Sequence, residues 1–213
     1  IGPGIIRIGG GGTVIFTGVN SYTGGTIIQA DSSTLEGTTD SLQGNITINS
    51  SSSLGFDQIT NGTFIGELFG TGGAVVKTGT GALTFNTDNS AFQGTTFVSE
   101  GSLILNSELG GSVTVDGTGI LSGSGTILGT LNVDNVGTVA PTPINAGVTN
   151  SSAIFNQIKK TLNTSFHSPM ATPIATMTVQ GNYVQNNSSV YEVQVNDAGQ
   201  SSLIHTHGTA TIG

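Results

Sequence analysis

The sequence predicts an all-β fold of stacked coils. Three observations carry that prediction: short apolar runs of period two, an internal repeat, and a composition of turn residues and β-branched residues with few charges. Glycine supplies 34 of the 213 residues and charged residues only 8%, against roughly 7% glycine and 25% charge in ordinary globular chains. No glycine-every-third period occurs, which excludes a collagen-like helix. Thr, Val and Ile favour strands, whereas Gly, Asn and Ser favour turns. A disordered chain carries more charge and fewer β-branched residues.

The alternating runs come in order along the chain: Val14 and Phe16, Ile46 and Ile48, Leu83 and Phe85, Leu103 and Leu105, Val113 and Val115, Leu131 and Val133. Alternation puts one face of each strand inward and the other outward. Clusters of Gly, Asn, Asp, Ser and Thr separate the runs and mark turns. Strands this short cannot bury themselves alone. Stacked at the inter-strand spacing of about 4.8 Å, they share one continuous core.

The repeat is explicit. "GTVIFTGVNS" at 12–21 aligns with "GALTFNTDNS" at 81–90, placing Gly12 on Gly81, Phe16 on Phe85 and Asn20 on Asn89. One extra residue then sets Tyr22 on Phe92 and Gly24 on Gly94. "SLQGNITI" at 41–48 matches "ELGGSVTV" at 108–115, and Leu54 falls on Leu121. Such self-similarity signals stacked units. Read as three coils, the 69-residue offset gives 23 residues per coil and eight or nine coils in all. An antiparallel sandwich explains the strands but not the repeat. Tyr22 and Phe92 each precede a glycine, which predicts a ring packed over a tight turn and shielding the coil edge.

"GTGGAVVKTGTGALTF" at 70–85 followed by "NSAFQGTTFVSEGSLIL" at 89–105 resembles the passenger-associated transport repeat of bacterial autotransporters. Lys77 stands at the pattern's lysine, Gly79 and Gly81 at its glycines, and Leu83 and Phe85 on its strand. "VNSYTGGTII" at 19–28 resembles the second half of the pattern. The resemblance covers most of 12–141 and 176–213. It implies a right-handed parallel β-helix, a solenoid displayed outside a Gram-negative cell by its own C-terminal translocator barrel. Residues 176–213 resemble the autochaperone region that precedes such a barrel. The chain begins at Ile1 rather than Met and reads as one β-helix fragment, 1–213, of a longer passenger.

One segment departs from the pattern. After Ala140-Pro141, residues 142–175 form an insertion. Within it, Ile154, Phe155, Ile158, Leu162 and Phe166 share one helical face and predict a helix over 151–166. Asn150 or Ser151 caps its start, and Pro169 closes the region. Lys159 and Lys160 lie where the helix dipole favours cations. The plain role is to cover an open flank of the solenoid; the sharper one is partner binding or self-association.

Little chemistry is legible. Formal charge is −8, and Arg7, Lys77, Lys159 and Lys160 are the only bases, too few for a nucleic-acid surface or a polybasic membrane anchor. No apolar run reaches the ~20 residues of a membrane-spanning helix, so no direct membrane insertion is expected. Cysteine is absent. His205 and His207 would share a face of a strand and form a weak metal candidate, with Glu192 as a third ligand. His167 is isolated. Gly-x-Ser-x-Gly, the phosphate loop and the calcium-binding glycine repeat are missing. No catalytic residue, cofactor or catalytic metal is predicted. The expected function is a C-terminal stem and autochaperone whose strand core is Met177, Val179, Tyr183, Val190, Val193, Val195, Leu203 and Ile204. The alternatives are an adhesin segment binding host glycans, matrix proteins or sister cells, and a polysaccharide-cleaving enzyme.

Overall fold

The protein is described here by a computed structural model covering residues 2–142, 174–196 and 199–213. Among these residues every regular element is a strand. The helix expected over 151–166, with Ile154, Phe155, Ile158, Leu162 and Phe166, lies outside the described residues.

The strands stack into three faces, and every strand pair is parallel. The second face is the longest, nine strands from Thr13–Ile15 to Ala210–Ile212. The first begins with four strands from Ile6–Ile8 to Leu68–Phe69. Single bridges, Gly70 to Phe92 and Asn89 to Leu109, carry it on to four more, from Glu108–Leu109 to Leu203–Thr206. The third holds six, from Gly62–Phe64 to Val190–Tyr191. This is a parallel β-solenoid, with nine strands at its deepest.

Period two decides what is inside. On the second face Leu35, Leu54, Val75, Thr96, Val113, Leu131 and Tyr183 stack in one inward column. Phe56, Lys77, Val98, Val115 and Val133 form the next. All the apolar members of both columns belong to one continuous core. Phe56, Phe64 and Phe85 meet edge to face across two faces, with centroids 5.3, 6.0 and 6.1 Å apart, a geometry that the ring quadrupoles favour.

Coil length corrects the expectation of 23 residues. Cross-coil hydrogen bonds join residues 21, 20 and 18 apart. At that length the 69-residue repeat cannot close after three coils, and it does not. Thr13–Ile15 lies on the second face but its counterpart Ala82–Phe85 on the third. Thr26–Ile28 lies on the first face and Thr95–Val98 on the second; Ser53–Asp57 lies on the second and Ile120–Gly123 on the third. Each copy is therefore displaced by one face. The repeated unit is strand, corner, strand, and any corner of the triangle accepts it.

The insertion does not interrupt the ladder. Glu108 pairs with Thr126, and Thr126 in turn pairs with Thr178. Leu131 pairs with Tyr183 in the same way. The coil after Pro141 thus resumes at Thr176 in register with the coil before.

Corners bring backbone against backbone. A Cβ on Gly94 would collide with the Gly73 carbonyl oxygen and the Phe92 ring, whereas one on Gly12 would meet nothing within 4 Å. Neither glycine has positive φ, so space alone separates them. Gly94→Ala is expected to cost about 1–3 kcal/mol, and Gly12→Ala to change stability by less than about 0.5 kcal/mol. Urea denaturation of the two variants checks this.

Candidate functional site

Lys77 is the least expected residue of the core. It shares strand parity with Val75, so its side chain points inward, between Phe56 and Val98. It is completely buried. Its ammonium donates to the carbonyl oxygens of Thr78 and Gly79, both at 2.7 Å, and of Glu100 at 3.0 Å. Three donors meet three acceptors, as a buried ammonium requires.

Sequence places those acceptors. Gly79 and Gly101 turn the corner between the second and third faces with φ of 74° and 65°, values only glycine adopts without cost. A Cβ on Gly101 would strike the carbonyl oxygens of Gly79 and Gly81 and the Lys77 ammonium. The Glu100 carboxylate accepts from the Gly79 amide at 3.2 Å. Lys77 thus ties its own corner to the corner of the next coil. Burial pushes its pKa down to about 8, with the Glu100 and then the Asp57 carboxylates opposing the shift.

A second pinned corner explains the repeated Asn-Ser. Asn89 is fully buried. Its Oδ1 accepts from the Leu68 amide at 2.8 Å, and its Nδ2 donates to the Thr87 carbonyl at 2.9 Å. Its own amide donates to Glu108 O at 2.9 Å, as the Asn20 amide does to Asp40 O at 3.1 Å. The two ring positions differ. Tyr22 is half-buried and accepts from the Gln43 amide through its hydroxyl at 3.1 Å. Phe92, expected to shield the coil edge, is fully buried in the core instead, because its face is closed by coils on both sides.

The terminal coils divide the residues expected to form their strand core. Met177, Val179 and Tyr183 are at most 5% exposed and join the main core, and Ile204 packs against it. Leu203 is half-buried beside Thr176. Val190, Val193 and Val195 are 42%, 49% and 67% exposed, so their place in the core is corrected. Val190 pairs with Thr138 but faces outward, and the chain leaves the ladder after Tyr191. Val195 bridges Ser201 in antiparallel fashion, and the Ser202 amide donates to Gln194 O at 2.8 Å.

His205 and His207 do share a face, both exposed, with ring centroids 4.7 Å apart. Among the described residues no three His, Cys, Asp or Glu side chains converge, so Glu192 does not complete a triad. Among the described residues, two shallow surface hollows open on the coils. One of about 290 Å³ is lined by Ile6, Ile15, Phe16, Thr17, Asn20 and Tyr22. The other, about 280 Å³, lies over Gly55 between Glu36 and Val76. Sequence reasoning missed the Lys77 and Asn89 pins. Their signal was a polar residue at an inward parity.

A parallel solenoid with glycine corners and a buried corner lysine defines the class: a long, repeat-built shaft. Residues 9–30 and 75–105 match the passenger-associated-transport-repeat family. Over 125 residues, 49% of the chain, the sequence is 34% identical to the adhesin BmaC autotransporter of Brucella suis biovar 1 (strain 1330). The chain spans about 4% of that relative's length. Both matches liken the chain to parts of autotransporter passengers.

Two predictions follow from the inward polar residues. The unfolded chain keeps a lysine proton to about pH 10, while folded Lys77 releases it near 8. The unfolded state therefore binds more protons between these values, and stability rises with pH across that window. From pH 7.5 to 9.5 the wild type should gain on the order of 1–2 kcal/mol relative to Lys77→Met, read from urea midpoints. Among the described residues the buried Thr96 hydroxyl has no hydrogen-bond partner. Thr96→Val should therefore raise stability by about 1 kcal/mol, measured in the same assay.

Proposed function

We propose that this segment is a non-catalytic stem of the passenger, and that residues 176–213 fold first and template the coils upstream. The observation that supports the reading is the ladder's continuity into the last coils. Met177, Val179 and Tyr183 sit under the upstream coil with almost no exposure. A folded coil offers a row of unpaired N–H and C=O groups to the next. A segment leaving the cell C-terminal end first would present that edge early, and its folding would oppose back-sliding. In this reading the stem is exported through a Gram-negative outer membrane, works beside its own C-terminal translocator barrel, and stays at the surface or is released.

The test compares the full chain with one ending at Ala175 by circular dichroism in denaturant. Cooperative unfolding of the full chain beside a soluble, largely unfolded short chain is the expected result; equal stability overturns the reading. Met177→Asp puts an unpaired charge at a fully buried position, which should cost at least ~3 kcal/mol and reduce surface display in the complete protein. Normal display of that variant counts against the template role.

A second reading is adhesion, favoured by the description of the Brucella relative as an adhesin. Outward Thr63 and Thr84, and Thr114 and Asn132, are neighbours in the ladder and offer polar rows to a glycan or matrix protein. Binding screens with and without residues 151–166 separate the stem itself from the expected helix as the contact.

A further inference from the structure

The outermost coil carries a feature that neither a stem nor a template needs. His205 and His207 project from one side of the chain, with Thr206 between them, while Ile204 just before them packs on the core side. Their rings lie 4.7 Å apart, with planes tilted by 58°. The backbone beneath them is held in place. The His207 amide donates to Val179 O at 2.9 Å, and His205 pairs with Thr178 in the ladder. The Thr206 hydroxyl donates to Gly181 O at 2.9 Å.

We propose that His205 and His207 form a two-point chelate for a divalent transition metal ion that accepts tetragonal nitrogen ligation, Cu(II) foremost and Ni(II) next. The argument is geometric. A metal–imidazole bond of about 2.0–2.1 Å places the ion roughly 3.2 Å from each ring centroid. Centroids 4.7 Å apart are close enough for rotation of the two exposed rings to bring one nitrogen of each onto adjacent positions of a single ion. Imidazole nitrogens suit Cu(II) and Ni(II), and Cu(II) stands at the top of the affinity order for such ligands. The ladder fixes both histidine backbones before binding, so little ordering remains to be done when the ion arrives.

Among the described residues no third His, Cys, Asp or Glu joins the pair. The remaining positions of the ion are then open to water or to an outside ligand. Both imidazoles must be neutral to bind, so affinity falls in acid. An ion held between the strand and the following corner also stabilises the folded terminal coil by mass action. The chelate is independent of the template role, and its test does not depend on that role.

Isothermal titration of the full chain with Cu(II), Ni(II) and Zn(II) at neutral pH tests the site. Electron paramagnetic resonance of the copper form counts the equatorial nitrogens. Expected are one Cu(II) per chain, two imidazole nitrogens, an order Cu(II) over Ni(II) over Zn(II), and at least about tenfold weaker binding in either His205→Gln or His207→Gln. Both side chains are exposed, so the variants should unfold at the same urea concentration as the parent without metal. His167→Gln should leave copper binding unchanged. Undiminished binding in the His205→Gln/His207→Gln double variant overturns the proposal, as does loss of binding in His167→Gln. A Zn(II) preference overturns the tetragonal assignment.

Discussion

The structure depends on one constraint: each coil must present its backbone in register to the coils above and below. Parallel ladders run the length of three faces, and the register holds even where the chain makes a 34-residue detour between Pro141 and Thr176. In-register stacking fixes the coil perimeter, because a one-residue slip would turn every inward side chain outward. It also fixes the corners. Coils about 4.8 Å apart leave no room for a Cβ where backbone crosses backbone, and this is why glycines such as Gly94 and Gly101 sit against carbonyl oxygens of the neighbouring coil.

A stack of near-identical units faces a problem that a globular core does not. Any coil can pair with many others at similar energy, because the inward columns are mostly Leu, Ile, Val and Phe. Polar pins break that degeneracy. Lys77 finds three carbonyl acceptors only with the Gly79 and Glu100 corners in place, and Asn89 finds the Leu68 amide only on the correct neighbour. A mispaired coil would leave a buried ammonium or amide unsatisfied, at several times the cost of a misplaced methyl group. The depressed basicity of Lys77 measures what this specificity costs in desolvation.

Much of the fold was legible because period two and the repeat are written directly in the residues. Val14, Leu83 and Val113 announce strands, and the copied corner announces stacking. Coil length was not legible. Alignment of Phe16 with Phe85 reports that two corners are alike but not which corner of the triangle each occupies. The terminal valines misled for a related reason. Val193 and Val195 alternate as strand residues do, but the chain there turns back on itself, and only the pairing of Val195 with Ser201 reveals it. The histidine pair was legible from its spacing; the absence of Glu192 from it was not, since that depends on where a loop leaves the ladder.

The displacement of each repeat by one face makes the shaft behave as a screw. Adding one 69-residue unit would lengthen it by a little over three coils, about 16 Å at the strand spacing. The same addition would rotate whatever is joined beyond it by about a third of a revolution. Residues that recur on the outer side of the unit would not line up as a stripe but wind around the axis. A shaft grown by duplication would therefore show its decoration in every direction, and each change in unit number would re-aim the end it carries.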